Sequence, residues 1–229
     1  SSAGDLGPAE IVVYGYSSLV SSSQDFYADR LGNLLTVPIT GRTFSNWLGA
    51  GATAFVTTWY DQSLTSNNMV QATFTNQPII SSSYVLFGNP SPTGFNFLNA
   101  NIDLGNINGS YSKSIWVYPN NTASGRLIAS PPSLPSGRGM HDFGLVTNLG
   151  IYFGQNNYTW YNLGTVTINT WTHLVATYDN PNQTVRIYVN SVNTFSNTAW
   201  TTAFNAGDGL VAATRIGRGN GGNTFGYIE

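Results

Sequence analysis

Short hydrophobic runs with alternating polar positions fill most of this chain, and Gly, Asn and Pro separate them. Alternation with a period of two residues predicts β-strands that bury one face, because helices need apolar positions three and four residues apart. About a dozen short strands favour an all-β fold, a two-sheet antiparallel β-sandwich of the jelly-roll type. The predicted strands cover residues 11–14, 54–60, 77–80, 94–98, 114–118, 126–129, 143–147, 150–154, 159–163, 171–178, 184–190 and 210–217.

The clearest pairing is a hairpin over residues 171–191, WTHLVATYDNPNQTVRIYVNS. Leu174, Ala176 and Tyr178 share one face of its first strand, and the second strand alternates in the same way. The DNPNQ segment supplies turn residues, and Pro181 fixes φ there. We therefore expect one face of this hairpin to lie in a core.

The first residues of that hairpin, Trp171, Thr172 and His173, raise the question of a site. His173 has no acidic residue close to it in the sequence that would make it a catalytic base. We therefore expect this segment to serve packing and strand register. Trp47 and Trp116 are predicted to be core residues.

Helix signals are scarce. GRTFSNWLGAG, residues 41–51, predicts one or two turns, with Thr43 as N-cap and Gly49 as the stop. SSLVSSSQDFYADRL, residues 17–31, is compatible with a short helix, although serine runs are poor helix formers. PPSLPSGRG, residues 131–139, is interpreted as an insertion loop because strands continue on both sides.

Composition narrows the possible functions. Charged residues make up 8% of the chain and the net charge is −2, so nothing favours nucleic acid or an anionic membrane surface as partner. The absence of cysteine excludes disulfides and a thiol nucleophile. No apolar run approaches the ~18 residues of a membrane span, and the first ten residues lack a signal-peptide pattern. A low-charge β protein rich in Asn, Thr and Ser indicates an extracellular or virion-surface location.

Four segments resemble a known family in their order along the chain. SKSIWVYPN, DFGLVTNLGIYFG, the hairpin above and TRIGRGNGGNTFGYIE are similar to laminin-G-like domains of the concanavalin-A-like lectin/glucanase superfamily, over residues 95–229. Upstream, AFVTTWYDQSLTSNNMVQATFTNQPII resembles a segment of arabinofuranosidase-B-like proteins, although Leu64 and Thr65 replace the Gly-Asn of that segment. The style of the upstream sequence is also similar to proteins of algal giant viruses.

The resemblance implies a domain layout. We expect one laminin-G-like β-sandwich over residues 1–229, with arabinofuranosidase-B-like outer strands and loops from residues 1–80 and the laminin-G-like core from residues 81–229. Family members often carry a carbohydrate site and a structural Ca²⁺. They also continue with a further strand beyond the position of Glu229. The segment AEIVVYG resembles that strand, so three interpretations stay open. The chain is a fragment that lacks the last strand, the segment is a first strand that only looks similar, or residues 10–14 fill the last position by permutation or exchange between chains.

Candidate catalytic residues are few. A glycosidase needs two carboxyl groups across one cleft, about 5–5.5 Å apart for retention or ~6.5–9.5 Å for inversion. Asp61, Asp103, Asp142 and Asp208 are the available acids, because Asp179 lies in the hairpin turn. The E-x-D-x-x-E spacing of the glucanases does not occur. Asp61 in WYDQS is more simply expected to bond backbone groups.

Sugar binding requires an aromatic face and neutral hydrogen-bonding side chains. GQNNYTWYN supplies both within nine residues, with core packing as the alternative for each aromatic. Trp200 follows a hairpin, and Arg138 and His141 flank a Gly-rich loop. The candidate ligand-binding residues are therefore Gln155, Asn157, Tyr158, Trp160, Tyr161, Trp200, Arg138 and His141.

Calcium is the metal that this composition suits, because Asp, Asn and backbone carbonyls supply its six to eight oxygen ligands. Glu229 matches a position at which superfamily members often place a ligand, and Asp208 lies in a second acidic loop; capping a turn is the alternative for both. The absence of Cys and of an H-x-x-H pattern argues against zinc.

Together these patterns favour a non-catalytic carbohydrate-binding or adhesion module of a larger extracellular, cell-wall-directed or virion-surface protein. Its partner would be a polysaccharide or glycan, and other domains or subunits of the same assembly. Two alternatives stay open, since fold does not determine function. One is a polysaccharide-degrading hydrolase or lyase, and the other is a structural capsid or protein-interaction domain.

Overall fold

The computed structural model describes thirteen stretches of the chain, which contain seventeen strands, one α-helix and two 3-10 turns. The stretches are residues 10–16, 21–27, 44–60, 68–80, 84–87, 98–100, 110–122, 125–129, 141–155, 158–160, 162–197, 215–217 and 226–228. The strands are β1 (Glu10–Tyr16), β2 (Ser21–Tyr27), β3 (Thr53–Trp59), β4 (Met69–Val70), β5 (Ile79–Ile80), β6 (Val85–Phe87), β7 (Leu98–Ala100), β8 (Tyr111–Tyr118), β9 (Gly125–Ala129), β10 (His141–Val146), β11 (Gly150–Gln155), β12 (Tyr158–Trp160), β13 (Thr172–Asp179), β14 (Thr184–Val189), β15 (Val192–Asn197), β16 (Arg215–Ile216) and β17 (Gly226–Ile228). Helix α1 is Phe44–Leu48, and the 3-10 turns are Phe74–Asn76 and Thr147–Leu149.

Two antiparallel sheets part at β3. One edge of β3 pairs with β1, which pairs in turn with β2. On the other edge, the first half of β3 pairs with β5, where Ala54 is opposite Ile80, and the second half pairs with β4, where Trp59 is opposite Met69. The front sheet continues from β5 through β6, β17, β8, β13, β14 and β15. The back sheet continues from β4 through β7, β16, β9, β10, β11 and β12. The all-β sandwich predicted from the sequence is confirmed.

The core lies between the inner faces of the two sheets. Tyr111 of the front sheet and Phe153 of the back sheet are in contact, with ring centroids 6.3 Å apart. Burial of one large apolar side chain in such a core stabilises the fold by about 1.5–3 kcal/mol. The fully buried members include Phe87, Leu174, Tyr178 and Ile187 from the front sheet, and Leu98, Phe143, Ile151 and Phe153 from the back sheet.

The single lysine of the chain, Lys113, also lies between the sheets and is 7% exposed. Its Nζ donates a hydrogen bond to the Ile128 carbonyl of the back sheet at 3.5 Å. The same nitrogen lies 5.7 Å from the ring centroid of Tyr111 and 5.8 Å from that of Phe153. The carbonyl and the two ring faces offset part of the cost of burying the cation.

The predicted hairpin is present as β13 and β14. Asp179 is opposite Thr184 at the turn, and Asn182 Nδ2 donates to Asp179 Oδ2 at 2.8 Å. The predicted helix is α1, and Gly49 after it has φ of 77°, a conformation that glycine adopts without a steric penalty. The predicted insertion loop, residues 131–139, lies outside the described residues. The described helix is far too short to cross a membrane.

The N-terminal region differs from two of the expectations. Ser21–Tyr27 lies within the segment interpreted as a possible helix, but it is strand β2 and pairs with β1 over seven residue pairs. The helix interpretation was wrong because the weak helix propensity of the serine run loses to this ladder. Strand β1 is bounded by β2 and β3 and pairs with neither β16 nor β17. The interpretation of residues 10–14 as the permuted last strand is therefore also wrong.

Strand β15 was not predicted. Asn190 and Ser191 join it to β14 as a two-residue connection, with φ of 48° and 68°, the arrangement of a tight hairpin whose twist matches its strands. Thr194 of β15 donates a hydrogen bond to the Leu163 carbonyl at 2.9 Å. Residue 163 itself pairs with Ile151 of β11, so Thr194 connects the far sides of the two sheets.

Leu174→Ala should lower the free energy of unfolding by about 2–5 kcal/mol, because it opens a cavity at a fully buried core position. Val175→Ala, at the next and half-buried position of the same strand, should cost less than about 1 kcal/mol. Urea unfolding followed by intrinsic fluorescence measures both values. Equal losses for the two variants would contradict the assignment of inner and outer faces.

Gly144→Ala should destabilise the protein by roughly 3 kcal/mol, because a Cβ there would meet the Gly125 carbonyl oxygen and lie 2.7 Å from Tyr152 Cε1. Gly49→Ala, which faces open space but has positive φ, should cost about 1 kcal/mol. Thermal unfolding of the two variants compares them. A Gly144→Ala protein as stable as the unmodified chain would show that β9 and β10 are further apart than described.

Candidate functional site

The outer face of the front sheet carries an exposed tryptophan. Ile115 and Val117 of β8 are buried, so Trp116 between them points away from the core, and it is 44% exposed. The prediction that Trp116 is a core residue is therefore wrong. Trp47, the other tryptophan predicted to be in the core, is half-buried in α1 and packs against the core as expected.

Trp116 is supported by the histidine of the hairpin entry. His173 lies directly opposite Trp116 in the ladder, and the two rings stack with centroids 4.9 Å apart and planes 24° from parallel. Ser114 Oγ and His173 Nε2 share a hydrogen bond of 2.8 Å. The His173 main chain exchanges two hydrogen bonds of 2.9 Å with Asn190, one to the side-chain oxygen and one from the backbone N–H. The expected register role thus applies to the main chain, while the side chain supports the exposed indole.

A second aromatic pair lies next to the first. Tyr118 follows Trp116 by two residues on β8, and Trp171 precedes His173 by two residues. Their ring centroids are 5.6 Å apart and their planes are inclined by 57°. Both side chains are half-buried. Four ring systems therefore adjoin one another at this end of the sheet.

Strand β14 adds a tyrosine and an arginine to the same face. Tyr188 is opposite Val175, and Arg186 is opposite Thr177. Both are half-buried. Within the described part of the chain, neither side chain makes a hydrogen bond or an ion pair, so their polar ends face solvent.

We refer to this outer face as the platform. With strands about 4.8 Å apart and a rise of about 3.4 Å per residue, the Cα atoms of Trp116 and Tyr188 are separated by roughly 12 Å. The platform has twelve members, of which five carry aromatic rings and one is an arginine. Its members are Ser112, Ser114, Trp116, Tyr118, Trp171, His173, Val175, Thr177, Arg186, Tyr188, Asn193 and Ser196.

Ser114 and His173 are close enough for a nucleophile and its base, but a catalytic triad also needs an acid that orients the imidazole. Asp179 is on the same face of β13 but six residues further along, roughly 20 Å from His173. Its carboxylate accepts a hydrogen bond from Asn182 instead. The hydrogen bond between Ser114 and His173 holds the imidazole against Trp116.

The predicted catalytic acids are not brought together in the described residues. Asp61, Asp103 and Asp208 lie outside them. Asp142 is 3% exposed in β10 of the back sheet, opposite Gly154 and Ala129. The two carboxylates whose side chains are described, Asp142 and Asp179, belong to different sheets and form no pair across a cleft.

The predicted ligand-binding residues fall on the back sheet where they are described. The backbone register sets His141 opposite Gln155 and Gln155 opposite Tyr158, so these three positions form a row across β10, β11 and β12. Trp160 is opposite the core residue Phe153. The other candidates lie outside the described residues: Asn157, Tyr161, Trp200 and Arg138.

The candidate calcium ligands Asp208 and Glu229 also lie outside the described residues. Among the described residues, no group of three or more His, Cys, Asp or Glu side chains lies close enough to hold a metal ion. A calcium site on those two residues stays a prediction, and nothing in the platform depends on it.

Sequence reasoning missed the platform, although part of its signal was present. Alternation in SIWVY and VRIYV turns Trp116, Arg186 and Tyr188 away from the core residues beside them. The sequence does not show which strands are neighbours. Ser114 and His173, which are in contact across β8 and β13, are 59 residues apart along the chain.

Solved structures with a similar fold include two arabinofuranosidases. One is a GH54 α-L-arabinofuranosidase soaked with a cyclic sulfate inhibitor (TM-score 0.65, 12% identity, 97% of this chain and 55% of the other). The second is an arabinofuranosidase complexed with arabinofuranosyl-α-1,2-xylobiose (TM-score 0.61, 15% identity, 97% and 54%). Trypanosoma rangeli sialidase in complex with the inhibitor DANA is similar over a smaller region (TM-score 0.52, 12% identity, 75% and 27%).

This chain spans about half the length of the two arabinofuranosidases, and their low identity supports the fold alone. Curated protein sequences give no match. Residues 80–227, more than half of the chain, match a laminin G family model described as the concanavalin A-like lectin/glucanases superfamily. The sandwich of two antiparallel sheets agrees with that match, and the chain belongs to the concanavalin A-like lectin/glucanases superfamily.

Proposed function

We propose that the protein is a carbohydrate-binding module and that its platform is the binding surface. The observation that carries the proposal is Trp116, which is 44% exposed and stacks on the His173 ring, which in turn shares a hydrogen bond with the Ser114 hydroxyl. The exposed part of a large aromatic side chain contributes no burial energy to folding. A rigid exposed aromatic lowers the entropy cost of binding a ligand on its face.

The chemistry around Trp116 suits a sugar. The C–H faces of a pyranose ring pack on an aromatic face, while its hydroxyl groups need neutral donors and acceptors. The platform offers the indole N–H of Trp116, the Tyr188 hydroxyl and the hydroxyls of Ser112 and Thr177, none of which is bonded to another described residue. A bound glycan would satisfy these groups in place of water.

Similarity to known structures supports the same class of ligand. The arabinofuranosidases and the sialidase named above are carbohydrate-active proteins by their names, and two were solved with a sugar or an inhibitor bound. Their catalytic activity is not carried over, since this chain spans about half of the arabinofuranosidases and its described carboxylates form no pair. Binding without cleavage is the part of that chemistry that the platform can perform.

The setting of the module is part of the proposal. Low charge and an abundance of Asn, Thr and Ser favour an extracellular or virion-surface location, where the module would attach a larger assembly to a polysaccharide. A structural Ca²⁺ bound by Asp208 and Glu229 is part of the same proposal.

Trp116→Ala should weaken polysaccharide binding at least tenfold, which corresponds to about 1.4 kcal/mol. Phe74→Ala is the matched control, because Phe74 is also an exposed aromatic residue, with 45% of its surface exposed. It packs on Phe55 of β3. Three strands of the front sheet lie between β3 and β8. Phe74→Ala should leave affinity unchanged. A glycan array, run once with Ca²⁺ and once with EDTA, finds the ligand, and titration calorimetry then measures the variants.

An array without binding in either condition would contradict the proposal. So would a Trp116→Ala protein with unchanged affinity. Release of reducing ends from a bound polysaccharide would instead identify a degrading enzyme, and capture of a protein without any glycan affinity would identify an interaction domain.

His173→Ala should weaken binding by about threefold to tenfold, because the stack with Trp116 and the hydrogen bond to Ser114 are lost. The main-chain bonds to Asn190 persist, so the unfolding free energy should fall by less than about 1.5 kcal/mol. Calorimetry and urea unfolding measure the two effects. A large loss of stability with unchanged affinity would mean that His173 acts in packing alone.

A further inference from the structure

The platform holds a cation that forms no ion pair with a described residue. Arg186 of β14 is half-buried on the outer face, and it forms no ion pair or hydrogen bond with the described residues. Its neighbours across the ladder are Thr177 and Ser196, which are neutral. Charged residues are rare in this chain, with 8 basic and 10 acidic residues among 229. An arginine on the platform therefore distinguishes this surface from most of the protein.

The nearest described carboxylate on this face belongs to Asp179 and forms no ion pair with Arg186. Asp179 is opposite Thr184, two residues along β14 from Arg186, so it is a diagonal neighbour. Its Oδ2 accepts a hydrogen bond of 2.8 Å from Asn182 at the hairpin turn. No ion pair joins it to Arg186 in the described part of the chain, so the guanidinium N–H groups are available to a ligand.

Arg186 is also next to an aromatic ring. Tyr188 follows it by two residues on the same face of β14, which places the two Cα atoms roughly 7 Å apart. A guanidinium presents paired N–H donors in a planar fork that matches a carboxylate. A sugar ring packed on Tyr188 would bring a carboxylate substituent within reach of that fork, and the chain of sugars could continue about 12 Å further to Trp116.

From this juxtaposition we infer that the ligand of the platform is an acidic polysaccharide that carries carboxylates, with a uronic acid unit at Tyr188 and Arg186 and a further unit on Trp116. The inference rests on the proposed function and specifies its ligand class. Recognition is local: the net charge of −2 gives the protein no attraction for polyanions at long range. Selectivity for carboxylates should therefore depend on Arg186 itself.

The test uses polygalacturonic acid and the same polymer with its carboxyl groups methyl-esterified, so that the two probes differ only at the carboxyl group, which loses its charge in the ester. The unmodified protein should bind the acid form at least tenfold more tightly than the ester. Arg186→Met, which keeps the apolar stem, should bind the acid about as weakly as the ester, so that the preference for the acid form is lost. Arg215→Met, which removes a half-buried arginine from β16 of the back sheet, is the control and should keep the preference.

Trp116→Ala separates this inference from the proposed function, because it should weaken binding of both polymers. Equal binding of acid and ester by the unmodified protein would overturn the inference and leave the module intact. A preference that survives in Arg186→Met would assign the carboxylate to another residue. Arg186-dependent binding of dextran sulfate without binding of polygalacturonic acid would replace the carboxylate by a sulfate ester, and absence of all binding would remove the proposed function as well.

Discussion

The antiparallel ladder between β8 and β13 fixes which side chains face the core and which face solvent. It joins seven residue pairs, from Tyr111 opposite Tyr178 to Val117 opposite Thr172. Because side chains alternate along each strand, burial of Ile115 and Leu174 obliges Trp116 and His173 to share the outer face. A slip of one residue would turn the aromatic residues inward and the core residues outward. Core and platform are thus two consequences of one register.

The two sheets diverge at β3, and the β8–β13 ladder of the front sheet covers one side of the core between them. Because β4 and β5 take different halves of one edge, the two sheets diverge from a common strand and enclose the large apolar side chains between them. Thr194 connects the opposite side through the Leu163 carbonyl. Lys113 reaches from the front sheet to the Ile128 carbonyl of the back sheet. With both sides of the sandwich closed, the outer face of the front sheet is a fixed surface on which rings can be held at set distances.

Much of this architecture could be predicted from local patterns, and the exceptions have physical causes. The hairpin of β13 and β14 shows strict alternation around a turn with Pro181, so pattern and turn chemistry agree. Strand β15 was missed because it is polar and its turn is Asn190-Ser191 rather than the usual Asn-Gly. Strand β2 was interpreted as a possible helix because its pairing with β1 is not visible in its own sequence.

The candidate site was harder to predict than the fold. Loops rich in aromatic and amide residues attracted attention because loops often carry function. The described platform residues lie instead in regular strands, except Trp171, which directly precedes β13. Alternation alone turns Trp116 outward, but its contact with His173 depends on which strand neighbours β8. That pairing joins distant parts of the chain, and single-sequence patterns do not specify it.

In the function that we propose, the ligand binds on the outer face of the front sheet. Titration of ¹⁵N-labelled protein with the best glycan from the array, followed by two-dimensional NMR, tests it most directly, because the indole N–H of each tryptophan gives its own signal. We expect the largest shifts at the Trp116 indole N–H and at the amides of His173 and Tyr188. Shifts confined to β10, β11 and β12 of the back sheet, with the Trp116 signal unchanged, would contradict it.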